Sequence, residues 1–168
     1  MKNLKSNIVL IGMPGCGKTT VGKVLAKKLG YKFCDMDSYI QEISKKTIKE
    51  LFEHGEENFR DWETKACEEL SRCNKTIIAS GGGVVKREKN IEILKKSCTI
   101  LFIDRPVERI INDVDINSRP LLKDGKERLY NLYDERYELY KKAADIQILN
   151  KGYLRDTIDI IINILNEK

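Results

Sequence analysis

Gly12-Met13-Pro14-Gly15-Cys16-Gly17-Lys18-Thr19 decides the fold of this 168-residue chain. The stretch fits G-x-x-x-x-G-K-[ST], a loop that cradles phosphate groups. Before it, Ile8-Val9-Leu10-Ile11 is continuously apolar, the pattern of a strand buried on both faces. After it, Val21, Val24, Leu25 and Leu29 recur at helical spacing. The glycines therefore stand between a buried strand and a helix, the context that separates this motif from an ordinary glycine turn. Gly12, Gly15 and Gly17 let the backbone curl until its N–H groups face an anion, and the helix N-terminus adds partial positive charge. Lys18 is placed to reach the outer phosphates and Thr19 to ligate Mg²⁺. The expected ligand is a nucleoside triphosphate with magnesium.

The rest of the chain bounds the function. Its length suits one domain, residues 1–168, with a sizeable core. The net charge is +5, but acidic and basic residues are interspersed and no basic stripe carries interleaved aromatics. That argues against nucleic acid and suits small anionic substrates. No apolar run reaches the ~18 residues of a membrane span. The basic N-terminus leads straight into the first strand, without the pattern of a signal peptide. Five cysteines (Cys16, Cys34, Cys67, Cys73 and Cys98) contain no C-x-x-C pair, so reduced thiols and a cytoplasmic location are expected.

Strand and helix signals alternate along the chain, which predicts an α/β fold with a mostly parallel sheet of five strands. The later strands are read at 31–35, 76–79, 99–103 and 145–149. Past Asp37 the chain turns more polar. Thr47-Ile48-Lys49-Glu50 is a capping box opening a short helix that ends near His54-Gly55. A helix from Glu56 to about Ser71 follows, then one ending near Lys96, then one opened by Asp104-Arg105-Pro106. Residues 113–120 have no clear period and read as a mobile loop. A long helix spans about 126–144. The last helix places Ile158, Ile161, Ile162 and Leu165 on one face.

Ligands of open α/β sheets bind beyond the carboxyl ends of the strands. Three signals fall there: the phosphate loop, Asp35-Met36-Asp37, and Gly81-Gly82-Gly83. The third strand ends in Ser80 rather than an acid, so Asp35 or Asp37 must supply the carboxylate near magnesium. On extended backbone a D-x-D pair points both carboxylates the same way, one toward the metal and one toward a substrate hydroxyl. Consecutive glycines after an apolar strand mark a close backbone approach to a ligand. Arg60 and Glu63 share a helix face. Arg119 is a candidate lid residue for the transferring phosphate.

Taken together, these residues resemble the shikimate kinases. The phosphate loop, Asp35-Met36-Asp37, Phe59-Arg60-x-x-Glu63, Ser80-Gly81-Gly82-Gly83, Arg119-Pro120-Leu121-Leu122 and Glu135-Arg136-x-x-x-Tyr140-x-x-x-Ala144 occur in that family's order and spacing over nearly the whole chain. The resemblance implies transfer of the ATP γ-phosphoryl group to the 3-hydroxyl of shikimate, in aromatic amino-acid biosynthesis. It implies a three-layer fold of the nucleoside-monophosphate-kinase type with strand order 2-3-1-4-5. An acceptor-binding segment is implied near 38–63 and a lid near 112–124. Lys18, Asp37 and Arg119 are then catalytic, with Asp37 on the acceptor hydroxyl. Gly12, Gly15, Cys16, Gly17, Lys18, Thr19, Thr20, Asn112 and Arg119 hold the nucleotide, and Thr19 and Asp35 lie toward magnesium. Asp37, Arg60, Gly81, Gly82, Gly83 and Arg136 hold shikimate, the two arginines taking its carboxylate. At Asn112 many members carry an arginine that stacks on adenine. Just after the fifth strand, where another basic residue is usual, this chain has Asn150-Lys151-Gly152. A monomer acting on ATP and shikimate is expected.

Two other readings compete. A gluconate-type kinase would share the phosphate loop but needs no arginine pair for a cyclic carboxylate. A nucleotide-dependent switch or binding module would need no acceptor; a GTPase switch would need N-K-x-D, and Asn74-Lys75-Thr76-Ile77 lacks the acid. Cys16 carries a separate expectation. A thiol beside a lysine at a helix N-terminus is activated, so a thiol reagent would inactivate the free enzyme through Cys16.

Overall fold

A computed structural model describes residues 4–113 and 125–167. The first strand, β1 (Asn7–Ile11), is buried at every position, as its unbroken apolar run requires. It lies mid-sheet, paired in parallel with β3 (Thr76–Ala79) on one side and β4 (Cys98–Asp104) on the other. With β2 (Lys32–Asp35) and β5 (Ile146–Leu149) outside them, the order is β2-β3-β1-β4-β5, as expected. The carboxyl end of β1 is thus flanked by strands reached in opposite directions, the switch point where such sheets hold ligands.

Helices cover both faces. α1 (Lys18–Leu29) packs on β2, β3 and α8 (Leu154–Asn166). α4 (Glu56–Leu70) packs on α5 (Glu88–Ser97), and α5 and α7 (Gly125–Ala143) pack on β4. Ile158 and Ile161 of α8 are buried, with Ile162 and Leu165 partly so. Among the described residues no helix is long and apolar enough to cross a membrane.

The structure corrects the reading of the stretch after Asp35. The polar stretch after Asp37 is a helix, α2 (Met36–Ser44), which buries Met36 and Ile40 one turn apart. Asp35 caps it: its Oδ1 accepts from the Ser38 N–H at 3.0 Å. Asp35 therefore ends a strand, while Asp37 stands in the first helical turn. The two carboxylates are not alternate positions of one extended segment, so the D-x-D argument fails in that form.

The capping box is formed as expected. It opens α3 (Ile48–Glu53), with Thr47 Oγ1 accepting from the Glu50 N–H and Glu50 Oε2 from the Thr47 N–H. Pro106 immediately precedes α6 (Val107–Asp113), and its carbonyl accepts from the N–H groups of Arg109 and Ile110. The helix expected to end near Lys96 is a 3-10 turn, Val84–Lys86, followed by α5. Most of the expected lid, with Arg119, lies outside the described residues, as does most of the expected loop at 113–120.

Candidate active site

The phosphate loop leaves β1 through Gly12, whose φ of +148° few other residues adopt. A Cβ there would stand 2.6 Å from the Ile103 carbonyl oxygen. Gly17, at φ +98°, is the N-cap of α1, and that first turn carries neither a side-chain cap nor an acidic residue. Its N–H groups stay available to an anion. Lys18 is buried, and its ammonium donates to the Gly12 carbonyl at 2.7 Å and the Met13 carbonyl at 2.8 Å. Thr19 and Thr20 are exposed at the mouth. The Thr19 hydroxyl donates to Asp35 Oδ2 at 3.0 Å.

A second polar centre adjoins the first. Asp37 Oδ1, Glu63 Oε2 and Arg136 Nε are buried and lack a hydrogen-bond partner among the described residues. Two of these atoms face one spot: a Cβ on Gly81 would meet Asp37 Oδ1 at 3.1 Å and Glu63 Oε2 at 3.4 Å. Arg60 donates through Nη1 to Glu63 Oε1 at 2.9 Å. Gly83 lies so close to Arg60 that a Cβ would stand 2.5 Å from Nη2 and 2.7 Å from Cζ. Gly82 packs on Pro14 of the phosphate loop, where a Cβ would come within 2.9 Å of the ring. The glycine run thus forms the wall between the two centres. It is held at both ends: Ser80 Oγ donates to the Leu10 carbonyl at 2.9 Å, and the buried Tyr140 hydroxyl donates to the Gly82 carbonyl.

Orphaned buried polar atoms are costly, and in native proteins they call for a ligand, an ion or water. The electrostatics agree. Burial, and then the charge of Asp35, raises the pKa of Asp37, while Lys18 and Arg60 pull it back. Burial likewise raises Glu63 against the opposing pull of Arg60. A carboxylate lifted in this way is a stronger base than an ordinary aspartate.

On the far side of the loop a groove of about 210 Å³ is lined by Gly15, Gly17, Thr20, Arg105, Asn150 and Leu154, among others. Asn112, assigned to the adenine, is exposed near the end of α6 and does not line it. Arg105 is the groove's only lining cation among the described residues. Asn150, buried, organises this side. Its Nδ2 donates to the Cys16 carbonyl at 3.2 Å, and its Oδ1 accepts from Thr157 at 2.9 Å and Arg105 at 3.2 Å. Sequence reasoning reached neither role, because each joins residues far apart in the chain.

Cys16 departs from expectation. Its side chain is fully buried, with Sγ 3.7 Å from Lys18 Nζ and turned toward Gly12. The curl that presents the N–H groups outward turns this side chain in, against the exposure that a reactive thiol needs. All five cysteines are free, and Cys73 is the exposed one.

The family model for shikimate kinase matches residues 14–166. The shikimate kinase of Clostridium beijerinckii is 52% identical over 162 residues, covering 96% of each chain. That of Clostridium botulinum strain Alaska E43 is 51% identical, covering 96% of this chain and 98% of the relative. Among solved structures, the shikimate kinase of Acinetobacter baumannii in complex with shikimate is 34% identical, with a TM-score of 0.88 over 99% of this chain and 97% of that one. With the strand order, the phosphate loop and the paired polar centres, these matches establish that the chain belongs to the shikimate kinase family.

Proposed function

We propose that this ATP-dependent kinase transfers the γ-phosphoryl group of ATP to the 3-hydroxyl of shikimate, giving ADP and shikimate 3-phosphate. The observation that carries the reading is the pair of buried carboxylate oxygens at Gly81, Asp37 Oδ1 and Glu63 Oε2, which with Arg136 Nε lack a hydrogen-bond partner among the described residues. The acceptor hydroxyl fits against Asp37 Oδ1, which takes its proton as the bond to phosphorus forms. The acceptor carboxylate fits Arg60 and Arg136, and the N–H groups of Gly82 and Gly83 border the ring. Lys18 exchanges its loop carbonyls for phosphate oxygens. Arg119 keeps the lid role that its Arg-Pro-Leu-Leu motif suggests.

Thr19 and Asp35 fit a magnesium ion, since a hydroxyl and one carboxylate at the mouth are what an ion that keeps several waters requires. When bound, magnesium neutralises charge on the phosphates. A monomeric, cytoplasmic enzyme of one domain, 1–168, with an acceptor segment near 38–63 and a lid near 112–124, completes the reading. A coupled ADP-release assay with and without shikimate tests it, with phosphorus NMR identifying the product. ADP release indifferent to shikimate overturns it.

Two expected results bear on the acceptor centre. Hydrogen bonds to charged groups contribute about 1.5–3 kcal/mol, so Arg60→Ala or Arg136→Ala should weaken shikimate binding by roughly 10- to 100-fold. Lysine should restore only part of this, because the planar fork is lost. Shikimate methyl ester should be a poor substrate, and equal turnover of ester and acid would remove the arginines from the site. Gly83→Ala should act on the same contact. Its methyl group needs the space of the Arg60 guanidinium, which Glu63 holds from below. Misplacing a binding group by about 1 Å can cost about 100-fold, so shikimate KM should rise by about 10- to 100-fold while the ATP KM moves little. A shikimate KM within twofold of wild type would show that Arg60 yields without cost.

A further inference from the structure

Each of the two arginines assigned to the acceptor carboxylate already faces a glutamate of this chain. Glu56, one turn before Arg60 on α4, accepts at Oε1 from Arg60 Nε at 3.2 Å and Nη2 at 3.1 Å. That edge of the guanidinium is one that can grip a carboxylate with two parallel hydrogen bonds. Glu135 Oε1 stands 3.6 Å from Arg136 Nε, in ion-pair range but too far for a hydrogen bond. Both glutamate side chains are 48% exposed, against 7% for Arg60 and 10% for Arg136. Glu63 is different: it is 1% exposed and holds Arg60 from the buried side.

The two exposed glutamates share a third partner. Lys86, in the turn after the glycine run, reaches Glu56 Oε1 at 2.7 Å and Glu135 Oε1 at 3.6 Å. Each glutamate is therefore bound twice, once to an arginine of the acceptor centre and once to the same lysine.

We propose that Glu56, and with it Glu135, is an internal competitor for the acceptor carboxylate, and that Lys86 is the counter-charge that retains both when the acceptor takes the arginines. The inference rests on Arg60 and Arg136 being the carboxylate grip. Glu63 serves only Nη1 of the buried Arg60, and leaving the Nε and Nη2 edge without an acceptor is costly, so Glu56 satisfies that edge until the acceptor arrives. Glu56 is exposed, and exposed ion pairs are weak, so the acceptor displaces it easily. The freed carboxylate keeps Lys86 and is not left unpaired. The device also sets specificity, because an anion must outcompete a carboxylate already in place. Shikimate, with its ring contacts and hydroxyl, does so, and a bare small carboxylate such as acetate does not.

The test compares Glu56→Gln, Lys86→Met and the double variant of the full chain with wild type. Shikimate Kd is read from the fluorescence of Trp62, the only tryptophan, two residues from Arg60, and by calorimetry; KM is measured alongside. Removing an exposed pair is worth about two- to fivefold. Glu56→Gln is expected to lower the Kd and KM for shikimate by that factor and to make acetate a measurable competitor. Lys86→Met is expected to raise them by a similar factor, because both glutamates then stay on the arginines. In the double variant the Lys86→Met penalty should shrink. A role for Glu56 in merely holding Arg60 in shape predicts the opposite sign, a higher Kd in Glu56→Gln. A Kd at or above wild type in that variant overturns the inference while leaving the kinase reading intact. If wild type does not bind shikimate at all, the kinase reading fails and takes the inference with it.

Discussion

Asp37→Asn is expected to lower kcat with shikimate by about 100- to 10,000-fold, the range for removing a positioned general base, while ATP binding stays within a few-fold. Asn keeps the shape and can still hydrogen-bond the hydroxyl, but it cannot take the proton. The same substitution should stabilise the ligand-free protein. Burial, aided by Asp35, raises the Asp37 pKa in the folded state. A raised folded pKa contributes stability below the unfolded pKa of about 3.9, and that stability is lost as pH rises through the folded value. At neutral pH the buried Asp37 carboxyl therefore weakens the fold, and Asn removes the penalty. The melting temperature at pH 7 should rise, by about 2–4 °C per kcal/mol for a domain of this size. The gain should disappear below pH 4. Loss of activity with a higher melting temperature separates a sacrificed catalytic group from a damaged fold. Near-normal kcat would take Asp37 off the reacting hydroxyl.

The parts of this design that were legible in the sequence are local. An apolar run, a glycine curl and a helical spacing lie within about thirty residues of one another, and they specify β1, the loop and α1. The capping box at Thr47 is local as well. The α2 helix was missed because its signal is sparse. Asp35 serves at once as the last strand residue and the helix cap, so the boundary carries no break, and only Met36 and Ile40 mark the buried face. At the site, Arg60 and Glu63 could be paired from their spacing, and Glu56 stands at the equally readable i−4 position. Lys86 could not be found in that way. It meets Glu56 across 30 residues and Glu135 across a different helix, and nothing local encodes either contact. The inward turn of Cys16 follows from glycine dihedrals that a motif names but does not orient.

Lys18→Met carries the other large effect expected. The Lys18 ammonium is buried and bonded to two carbonyls of its own loop, those of Gly12 and Met13. The loop is therefore held ready, with its cation already desolvated. When phosphate oxygens replace the carbonyls, little further desolvation is needed, and the interaction strengthens as charge develops in transfer. Removing one such donor costs about 100- to 1,000-fold in kcat. A fully charged group on the transferring phosphoryl reaches the upper end of that range or beyond. Lys18→Met should thus lose about 1,000-fold in kcat. Methionine fills much of the stem's volume, so the fold should survive, with a modest fall in melting temperature for the two carbonyls left without their donor. Stabilisation by MgATP in a thermal-shift titration should shrink but persist, because the N–H groups at the start of α1 still face the phosphates. A variant that lost all nucleotide-dependent stabilisation would assign most of the binding to Lys18 itself. One that kept more than a tenth of wild-type kcat would leave the developing charge to Arg119 and the backbone alone.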